Sequence, residues 1–261
     1  MGAHSDGHRR QAVRAPRRQG ASRPASLPPY TAGMAADAPP PGPLALIGGT
    51  GKLGPGLALR WARAGVPVVI GSRDAERAAE RAAWLARRVA EAGGGAEVRG
   101  MANPAAAAAG ALACITVPHA GQAALLLDLA RELAGKVVIS TAVPVRFDPG
   151  TGPVAVEVPE GSAAQQVAAL LPGARVVGAF HTVSSAHLDR LDRPLDEDVL
   201  LCGDDDLAKA DVRRLVELIP GLRPVDCGRL AASRLTEQLT VLLLGVNRLT
   251  RRSAGIRLTG I

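Results

Sequence analysis

The chain has 261 residues, of which 47% are hydrophobic and only 2% aromatic. This length suits one large domain or a domain with a smaller appendage, and the core must be built from aliphatic side chains. The longest apolar runs, such as Val241 to Leu244, fall far short of the roughly 20 residues that a membrane-spanning helix needs. The composition therefore predicts a soluble, cytoplasmic protein that does not interact with a membrane.

The formal net charge of +7 is unevenly distributed along the chain. Residues 1–43 hold six arginines against two aspartates, which gives this segment a net +4. The remainder is only mildly basic and has few aromatic rings on which bases could stack, so nucleic acid is not an expected partner. Residues 1–43 also lack apolar periodicity, so we expect a disordered Arg/Pro-rich tail, or a mis-assigned start with Met34 as the true initiator.

The three cysteines, Cys114, Cys202 and Cys227, are far apart in the sequence and show no CxxC spacing. The histidines are not spaced with acids or cysteines in a way that suits a metal ion. We interpret the cysteines as small buried hydrophobic residues and expect no metal site.

From Leu44 onward, short apolar runs alternate with helical patterns, which is typical of a parallel sheet with helices on both faces. A final extended piece lies in the sequence GLRPVDCGRL. The fold class expected is therefore α/β, a Rossmann-type doubly wound, mainly parallel sheet. The strand candidates are 44–47, 66–70, 97–101, 112–117, 137–140, 176–179 and 199–202. The helix candidates are 57–64, 75–92, a short alanine-rich helix from Ala105, 121–133, 163–171, 207–218 and 232–251.

This pattern divides the chain into a nucleotide-binding domain, residues 44–228, and a small helical C-terminal region, residues 229–261, that completes the site. The long last helix contains Leu242, Leu243 and Leu244. These leucines suit either a buried core position or the surface of a homodimer, and both interpretations remain open.

The segment GGTGKLGPG, residues 48–56, holds five glycines among nine residues between a predicted strand and a predicted helix. Gly49, Gly51 and Gly54 fit the G-x-G-x-x-G pattern of dinucleotide-binding loops. In such loops the first glycine allows the turn, the second lets the backbone approach the pyrophosphate, and the third lets helix and strand pack closely. A glycine-rich turn without a ligand is the alternative.

The end of the second predicted strand, in VVIGSRDAER, indicates which dinucleotide is bound. An NAD enzyme usually places an acidic residue here for the ribose hydroxyls. This chain presents Ser72, Arg73 and Arg77, which suit a dianionic 2′-phosphate because guanidinium groups bind phosphate in a bidentate manner. Asp74 is expected to cap the following helix. NADP(H) is therefore favoured over NAD(H).

Several ordered segments together resemble a known family, the NADPH-dependent reductases of coenzyme F420. They are LIGGTGKLGPGLALR, VVIGSRDAER, ITVPHAG, KVVISTAVPV, VVGAFHTV, LLCGDDD, GLRPVDCG and the closing SRLTEQLTVLLLGVNRL. The resemblance extends from Leu44 to Ile261. It implies that NADP(H) is the cofactor and that the deazaflavin F420 is the co-substrate.

The resemblance also implies roles for individual residues. Thr50, Gly51, Lys52 and Leu53 would line the diphosphate, while Ser72, Arg73 and Arg77 would hold the 2′-phosphate. Val117, Gly121 and Val143 would flank the nicotinamide, and His181, Ser185 and Ala254 would approach the site from later segments.

Hydride transfer between two hydride carriers requires ring stacking and exclusion of water rather than a nucleophile or a general acid. We therefore expect no obligatory catalytic residue, with His181 as a substrate contact. Two alternatives remain open: a Rossmann reductase of another small substrate (a flavin, ferric iron, an imine or a keto acid), or a regulatory NADP-binding protein without turnover.

Overall fold

The computed structural model of the protein describes residues 1–2 and 42–261. The predicted tail, residues 1–43, thus lies almost entirely outside the described residues, and so does Met34. The described residues from Gly42 onward belong to one compact unit. Within the described residues, no helix combines the length and apolar composition needed to cross a bilayer.

Strands and helices alternate through most of this unit, as the sequence predicts. The strands are β1 (Leu44–Ile47), β2 (Val68–Ser72), β3 (Val98–Ala102), β4 (Leu112–Ile115), β5 (Val137–Ser140), β6 (Val145–Asp148), β7 (Gly152–Ala155), β8 (Arg175–Gly178), β9 (Glu197–Gly203) and β10 (Leu222–Asp226). The helices are α1 (Leu53–Arg63), α2 (Ala75–Glu91), α3 (Asn103–Ala109), α4 (Gln122–Asp128), α5 (Ala130–Leu133), α6 (Ala163–Leu170), α7 (Ser185–Leu188), α8 (Asp206–Glu217) and α9 (Ser233–Thr250).

Eight of these strands form one sheet in the order β10-β9-β8-β5-β4-β1-β2-β3. Every neighbouring pair is parallel except β8 and β9. The expectation of a mainly parallel, doubly wound sheet is confirmed. Residues 179–196, which join these two strands and contain the four-residue α7, return the chain to the sheet at the end where β8 stops, so β9 runs in the opposite direction.

A second, two-stranded sheet was not expected from the sequence. Strands β6 and β7 form an antiparallel hairpin between β5 and α6. At its turn, Asp148 Oδ1 accepts hydrogen bonds from the backbone N–H groups of Gly150 and Thr151, each at 2.9 Å. These hydrogen bonds stabilise the turn, so the hairpin forms although apolar and polar residues alternate only weakly along its strands.

The core lies on both faces of the large sheet. In β1, Leu44 and Leu46 face α1, α2 and α8, whereas Ala45 and Ile47 face α3 to α6. This alternation follows from the two-residue period of a strand. Because both faces are covered, the central strands are uniformly apolar, as expected for a parallel sheet.

Helix α9 packs on the same face as α6. A Cβ at Gly178, the last residue of β8, would clash with Ser233 Oγ at the start of α9, so the helix approaches the sheet backbone directly. Further along α9, the buried Glu237 carboxylate accepts hydrogen bonds from the N–H groups of Ala163 (2.9 Å) and Ala164 (3.1 Å) at the N-terminus of α6. Burial outweighs these hydrogen bonds and raises the pKa of Glu237 to about 7.

The raised pKa predicts a pH-dependent contribution of Glu237 to stability. A carboxyl whose pKa is higher in the folded than in the unfolded protein stabilises the fold most below its unfolded pKa, and this contribution is lost as the pH rises through the folded value. Relative to Glu237→Gln, the free energy of unfolding of the wild type should fall by about 3 kcal/mol between acidic and mildly alkaline pH. Urea titrations across this range measure it, and parallel curves for both proteins would contradict the prediction.

Candidate active site

The candidate site lies at the carboxyl ends of β1 and β4, where the strand order reverses. In doubly wound sheets, ligands bind in the crevice outside this point. The glycine-rich segment follows β1, and Val117 follows β4. The two segments touch, because a Cβ at Gly48 would clash with the Val117 side chain.

Three glycines of the loop differ in what surrounds them. A Cβ at Gly54 would lie 2.6 Å from Gly49 Cα, and a Cβ at Gly49 would lie 2.8 Å from the Leu46 carbonyl oxygen. The protein itself therefore requires glycine at both positions. At Gly51 the nearest atom to such a Cβ is the Gly48 carbonyl oxygen at 3.6 Å, which is an ordinary contact. Because Gly51 has no side chain, a space that no protein atom occupies remains beside its backbone.

Helix α1 begins at this loop without a side-chain cap. Lys52 occupies its N-cap position and is exposed, no side chain in the described part of the chain accepts a hydrogen bond from the first amides, and the first turn holds no acidic residue. Thr50 and Leu53, on either side of the exposed Gly51, are half-buried. The free amides and the helix dipole together form a place where an anion can bind.

Asn103, a residue that the sequence analysis missed, connects the glycine loop to β3. Its buried side-chain Oδ1 accepts a hydrogen bond from Gly48 N at 3.2 Å. The same oxygen would lie 2.8 Å from a Cβ at Gly71, so glycine is needed there as well. A polar residue directly after a strand at the carboxyl edge is the one signal that the sequence offers for this role.

Ser72 ends β2, and Arg73 and Arg77 are exposed beside it. Ser72 Oγ accepts a hydrogen bond from Asp74 N, and Asp74 Oδ1 accepts one from Arg77 N, each at 3.2 Å. The prediction that Asp74 caps α2 is thus confirmed. Among the residues that the structure describes, neither the Arg73 nor the Arg77 guanidinium has a hydrogen-bond acceptor or an acidic partner. Two arginines without an ion-pair partner among the described residues therefore lie at the end of β2.

The strand ends next to β1 are held by threonine hydroxyls. Thr116 Oγ1 donates to the Ile47 carbonyl at 3.0 Å, and Thr141 Oγ1 donates to the Ile115 carbonyl at 2.8 Å. These bonds satisfy carbonyl groups where the ladders end. The predicted nicotinamide contacts lie directly beyond them: Val117 and Val143 are half-buried, and Gly121 is exposed at the end of a short 3₁₀ turn, residues 119–121.

His181 lies beyond the end of β8, next to α9. Its Nδ1 lies 3.4 Å from Thr236 Oγ1, which donates to the Ser233 carbonyl at 3.1 Å. The Nε2 atom is buried without a hydrogen-bond partner among the described residues, and the same holds for His119 Nε2. Burial lowers the pKa of His181 to about 4, so its imidazole is neutral near pH 7. Its Nε2 can accept a hydrogen bond from a ligand, but the ring is not an acid at that pH.

The segments that carry Ser185 and Ala254 meet at Glu197, the first residue of β9. Glu197 Oε1 lies 3.0 Å from His187 Nδ1, and a Cβ at Gly255 would lie 2.5 Å from Glu197 Cγ. Ser185 belongs to α7, which packs on the first turn of α1 because a Cβ at Gly56 would contact Leu188. These two predicted site residues are therefore grouped with the start of β9 and the first turn of α1.

A cleft of about 610 Å³ opens beside α9. It is lined by Ala155 at the end of β7, by residues 156–159 and Gly161 after it, and by the exposed Arg234 and Gln238 of α9. Neither α9 residue was singled out from the sequence, because an exposed Arg and Gln on a helix are indistinguishable from an ordinary solvated face. The cleft offers a cation, an amide and the Glu157 carboxylate to a large polar ligand.

The glycine loop at the reversal point of the sheet, the uncapped α1 and the unpaired arginines form an arrangement that suits a phosphorylated dinucleotide. No cluster of three or more potential metal ligands occurs within residues 42–261. The fold defines a protein of the Rossmann-type α/β class, and comparison with known proteins narrows this class.

Residues 43–144 match the family model described as NADP oxidoreductase, coenzyme F420-dependent. The F420-dependent NADP reductase of Methanocaldococcus jannaschii is 38% identical over 220 residues, which span 84% of this chain and 98% of that protein. The enzyme of the same name from Methanothermobacter marburgensis is 40% identical over 222 residues, with the same coverage of 84% and 98%. A crystal structure from Arthrobacter sp. FB24, provisionally described as an F420-dependent NADP reductase, superposes with a TM-score of 0.69 at 26% identity and covers 82% of this chain and 99% of that one.

The chain therefore belongs to the F420-dependent NADP reductase family. The resemblance noted in the sequence is confirmed by relatives that match nearly from end to end. The hairpin β6–β7 and helix α9 lie beyond the residues that the family model covers.

The glycine loop makes a prediction about stability. Gly54→Ala should lower the free energy of unfolding by about 1–3 kcal/mol, because its Cβ overlaps the Gly49 backbone, which cannot move aside cheaply. Gly51→Ala serves as the matched control and should leave stability unchanged, since its nearest contact is ordinary. Thermal and urea unfolding without nucleotide measure both variants. Equal losses in the two would show that Gly51 is also required by the protein itself.

Proposed function

We propose that this protein is an oxidoreductase that transfers a hydride between NADP(H) and the deazaflavin coenzyme F420. The observation that carries the proposal is the match to two F420-dependent NADP reductases over 98% of their length. The glycine loop, the unpaired arginines and the cleft beside α9 are all compatible with these two ligands. Both ligands are small molecules, and the proposed location of the enzyme is the cytoplasm.

The nucleotide half of the site is assigned to the loop and to the end of β2. Gly51 leaves space for the diphosphate, and the uncapped amides of α1 provide donors for it. Ser72, Arg73 and Arg77 would hold the 2′-phosphate, because two guanidinium groups without a counter-charge favour a dianion. The full set proposed for the adenosine and diphosphate part is Gly49, Thr50, Gly51, Lys52, Leu53, Gly54, Ser72, Arg73 and Arg77.

The other half of the site is assigned to the strand ends and to α9. Val117, Gly121 and Val143 would flank the nicotinamide. The cleft beside α9, with Arg234, would accept F420, whose phosphate and glutamate groups are anionic. His181, Ser185 and Ala254 would approach from the later segments, so the C-terminal region, residues 229–261, would complete the site.

When both ligands are bound, the nicotinamide and the deazaflavin supply the chemistry, since each ring accepts or releases a hydride. The residues of this chain would stack the rings, orient them and exclude water. His181 Nε2 would accept a hydrogen bond rather than transfer a proton, because the imidazole is neutral near pH 7. No residue of the site needs to act as a nucleophile.

Helix α9 also suits a homodimer interface. Leu235, Leu242 and Leu249 are spaced by seven residues and expose 65%, 64% and 86% of their surface. A seven-residue apolar repeat along one helix face favours contact with a second helix of the same kind. The exposed Phe147 of the β6–β7 hairpin adds a further apolar residue. A second copy of this chain is the proposed partner.

The assignment is tested by mixing the purified protein with NADPH and oxidised F420 and following the visible absorbance of the deazaflavin. We expect the band to disappear with NADPH. Parallel reactions with FMN, ferric iron, an imine and a keto acid identify a reductase of another substrate. Binding of NADPH without turnover of any of them would indicate a regulatory protein instead.

The two arginines should determine the choice of nucleotide. Arg73→Ala and Arg77→Ala should each raise the KM for NADPH roughly tenfold, the loss of one charge-assisted hydrogen bond, and leave that for NADH unchanged. Arg81→Ala is the matched control, because this arginine lies further along α2 and stacks on Trp84 at 5.2 Å. A similar rise for both nucleotides in the Arg73 and Arg77 variants would argue against a 2′-phosphate site.

The histidines should be dispensable for the chemical step. His181→Ala and His119→Ala should each retain turnover, with kcat lowered less than about a hundredfold, since general acid–base catalysis contributes at least that much where it operates. A larger loss with both ligands still bound, as measured by fluorescence titration, would overturn a mechanism based on positioning alone.

A further inference from the structure

Two of the three cysteines, far apart in the sequence, are direct neighbours in the fold. Cys202 lies in β9, and Cys227 follows β10 on the adjacent strand. Cys227 N donates to the Leu201 carbonyl at 2.8 Å, and Gly203 N donates to the Gly228 carbonyl at 3.0 Å, so the two residues are bracketed by backbone hydrogen bonds. Paired strands lie about 4.8 Å apart, which is within the Cα separation that a disulfide spans.

The two thiols also lie on the same face of the sheet. Asp226 pairs with Leu201, so Cys227 is in register with Cys202, and side chains at paired positions of neighbouring strands point to the same face. The Cys227 thiol donates a hydrogen bond to the Val225 carbonyl, with 3.7 Å between sulfur and oxygen. The neighbouring Cys227 thiol lowers the pKa of Cys202, whereas the Cys202 sulfur and burial raise the pKa of Cys227. Cys202 is therefore the thiol that more readily supplies a thiolate to attack an oxidised Cys227.

Accessibility distinguishes the members of the pair from the third cysteine. Cys227 is partly exposed, whereas Cys202 is buried behind it. Cys114 is fully buried in β4, and burial raises the pKa of its thiol. A small oxidant can therefore reach Cys227, and Cys202 is positioned to react with it next.

We propose that Cys202 and Cys227 are a site of reversible oxidation, at which a peroxide converts the two thiols into an intramolecular disulfide. Cys227 sulfur attacks the peroxide, the O–O bond breaks, and one water leaves as the sulfenic acid forms. Cys202 sulfur then attacks that sulfur, the S–O bond breaks, and a second water leaves. The two thiols lose two electrons, and the peroxide gains them.

The disulfide would reach the candidate active site through Thr236. Cys202 pairs with Gly178 of β8, and Ser233 at the start of α9 packs against Gly178. Thr236, one turn further along α9, contacts His181, so a disulfide that shifts Cys202 changes the hydrogen bonding of the His181 ring. The glycine loop follows β1, four strands away from β9. Oxidation should therefore alter the half of the site assigned to F420 and spare the nucleotide half, an expectation that rests on the proposed function.

The test begins with mass spectrometry of the reduced full chain after a stoichiometric dose of hydrogen peroxide. We expect a linked pair of peptides that contain Cys202 and Cys227, with the loss of two hydrogens, while Cys114 remains open to alkylation after unfolding. A dithiol reductant should restore both thiols. Cys114→Ala should behave as the wild type, and Cys227→Ala should form no link. Absence of the linked peptides, or a sulfinic acid at Cys227 without linkage, would overturn the proposal.

Kinetics on the same samples test the coupling to the site. In the oxidised wild type, the KM for F420 should change by roughly threefold or more while that for NADPH stays constant. Cys227→Ala should show no response to peroxide. Equal KM values before and after disulfide formation would refute the coupling. Failure of the proposed function is distinguishable, because it would abolish F420 turnover in the reduced protein, whereas the disulfide is detected without any turnover.

Discussion

The position of α1 depends on the contact between Gly49 and Gly54, where loop and helix backbones meet without a side chain between them. Gly49 N donates to both the Leu46 and the Gly71 carbonyls, at 3.1 and 2.9 Å, so the loop is tied to β1 and β2. Helix α1 in turn carries the buried Arg60, whose guanidinium donates to four backbone carbonyls within residues 187–193. The contact between Gly49 and Gly54 thus positions the free amides at the start of α1, where an anion can bind. Through Arg60 it also positions the segment that leads into β9.

A second close approach positions α9. Ser140, Gly178 and Cys202 lie side by side on β5, β8 and β9. The missing side chain at Gly178 allows Ser233 to rest on the sheet, and Thr236 and Glu237 then reach His181 and the N-terminus of α6. These contacts join residues more than fifty positions apart, which explains why the C-terminal region folds as part of the main unit.

The sequence predicted those parts of the fold that local chemistry determines. Apolar runs and glycines located β1, β2 and the loop, and Asp74 was correctly predicted as a cap because its role depends on the next three residues. The direction of β9 was not predictable, since an apolar strand carries no signal for its orientation. The hairpin around Asp148 was missed because its prolines and glycines hide the alternation, and Asn103 was missed because its partner lies 55 residues away.

The two halves of the proposed site differ in the groups that they offer to a ligand. Gly51 and α1 offer a backbone without a side chain and free amides, which suit any diphosphate. Near α9, Ser140 Oγ, His181 Nε2 and Thr240 Oγ1 are buried without hydrogen-bond partners among the described residues. A ligand that cannot satisfy these atoms leaves them unpaired, at a cost of about 1–3 kcal/mol each. In the proposed function, this cost would provide discrimination against the wrong second substrate, because a site built from such groups rejects analogues that lack the matching polar atoms.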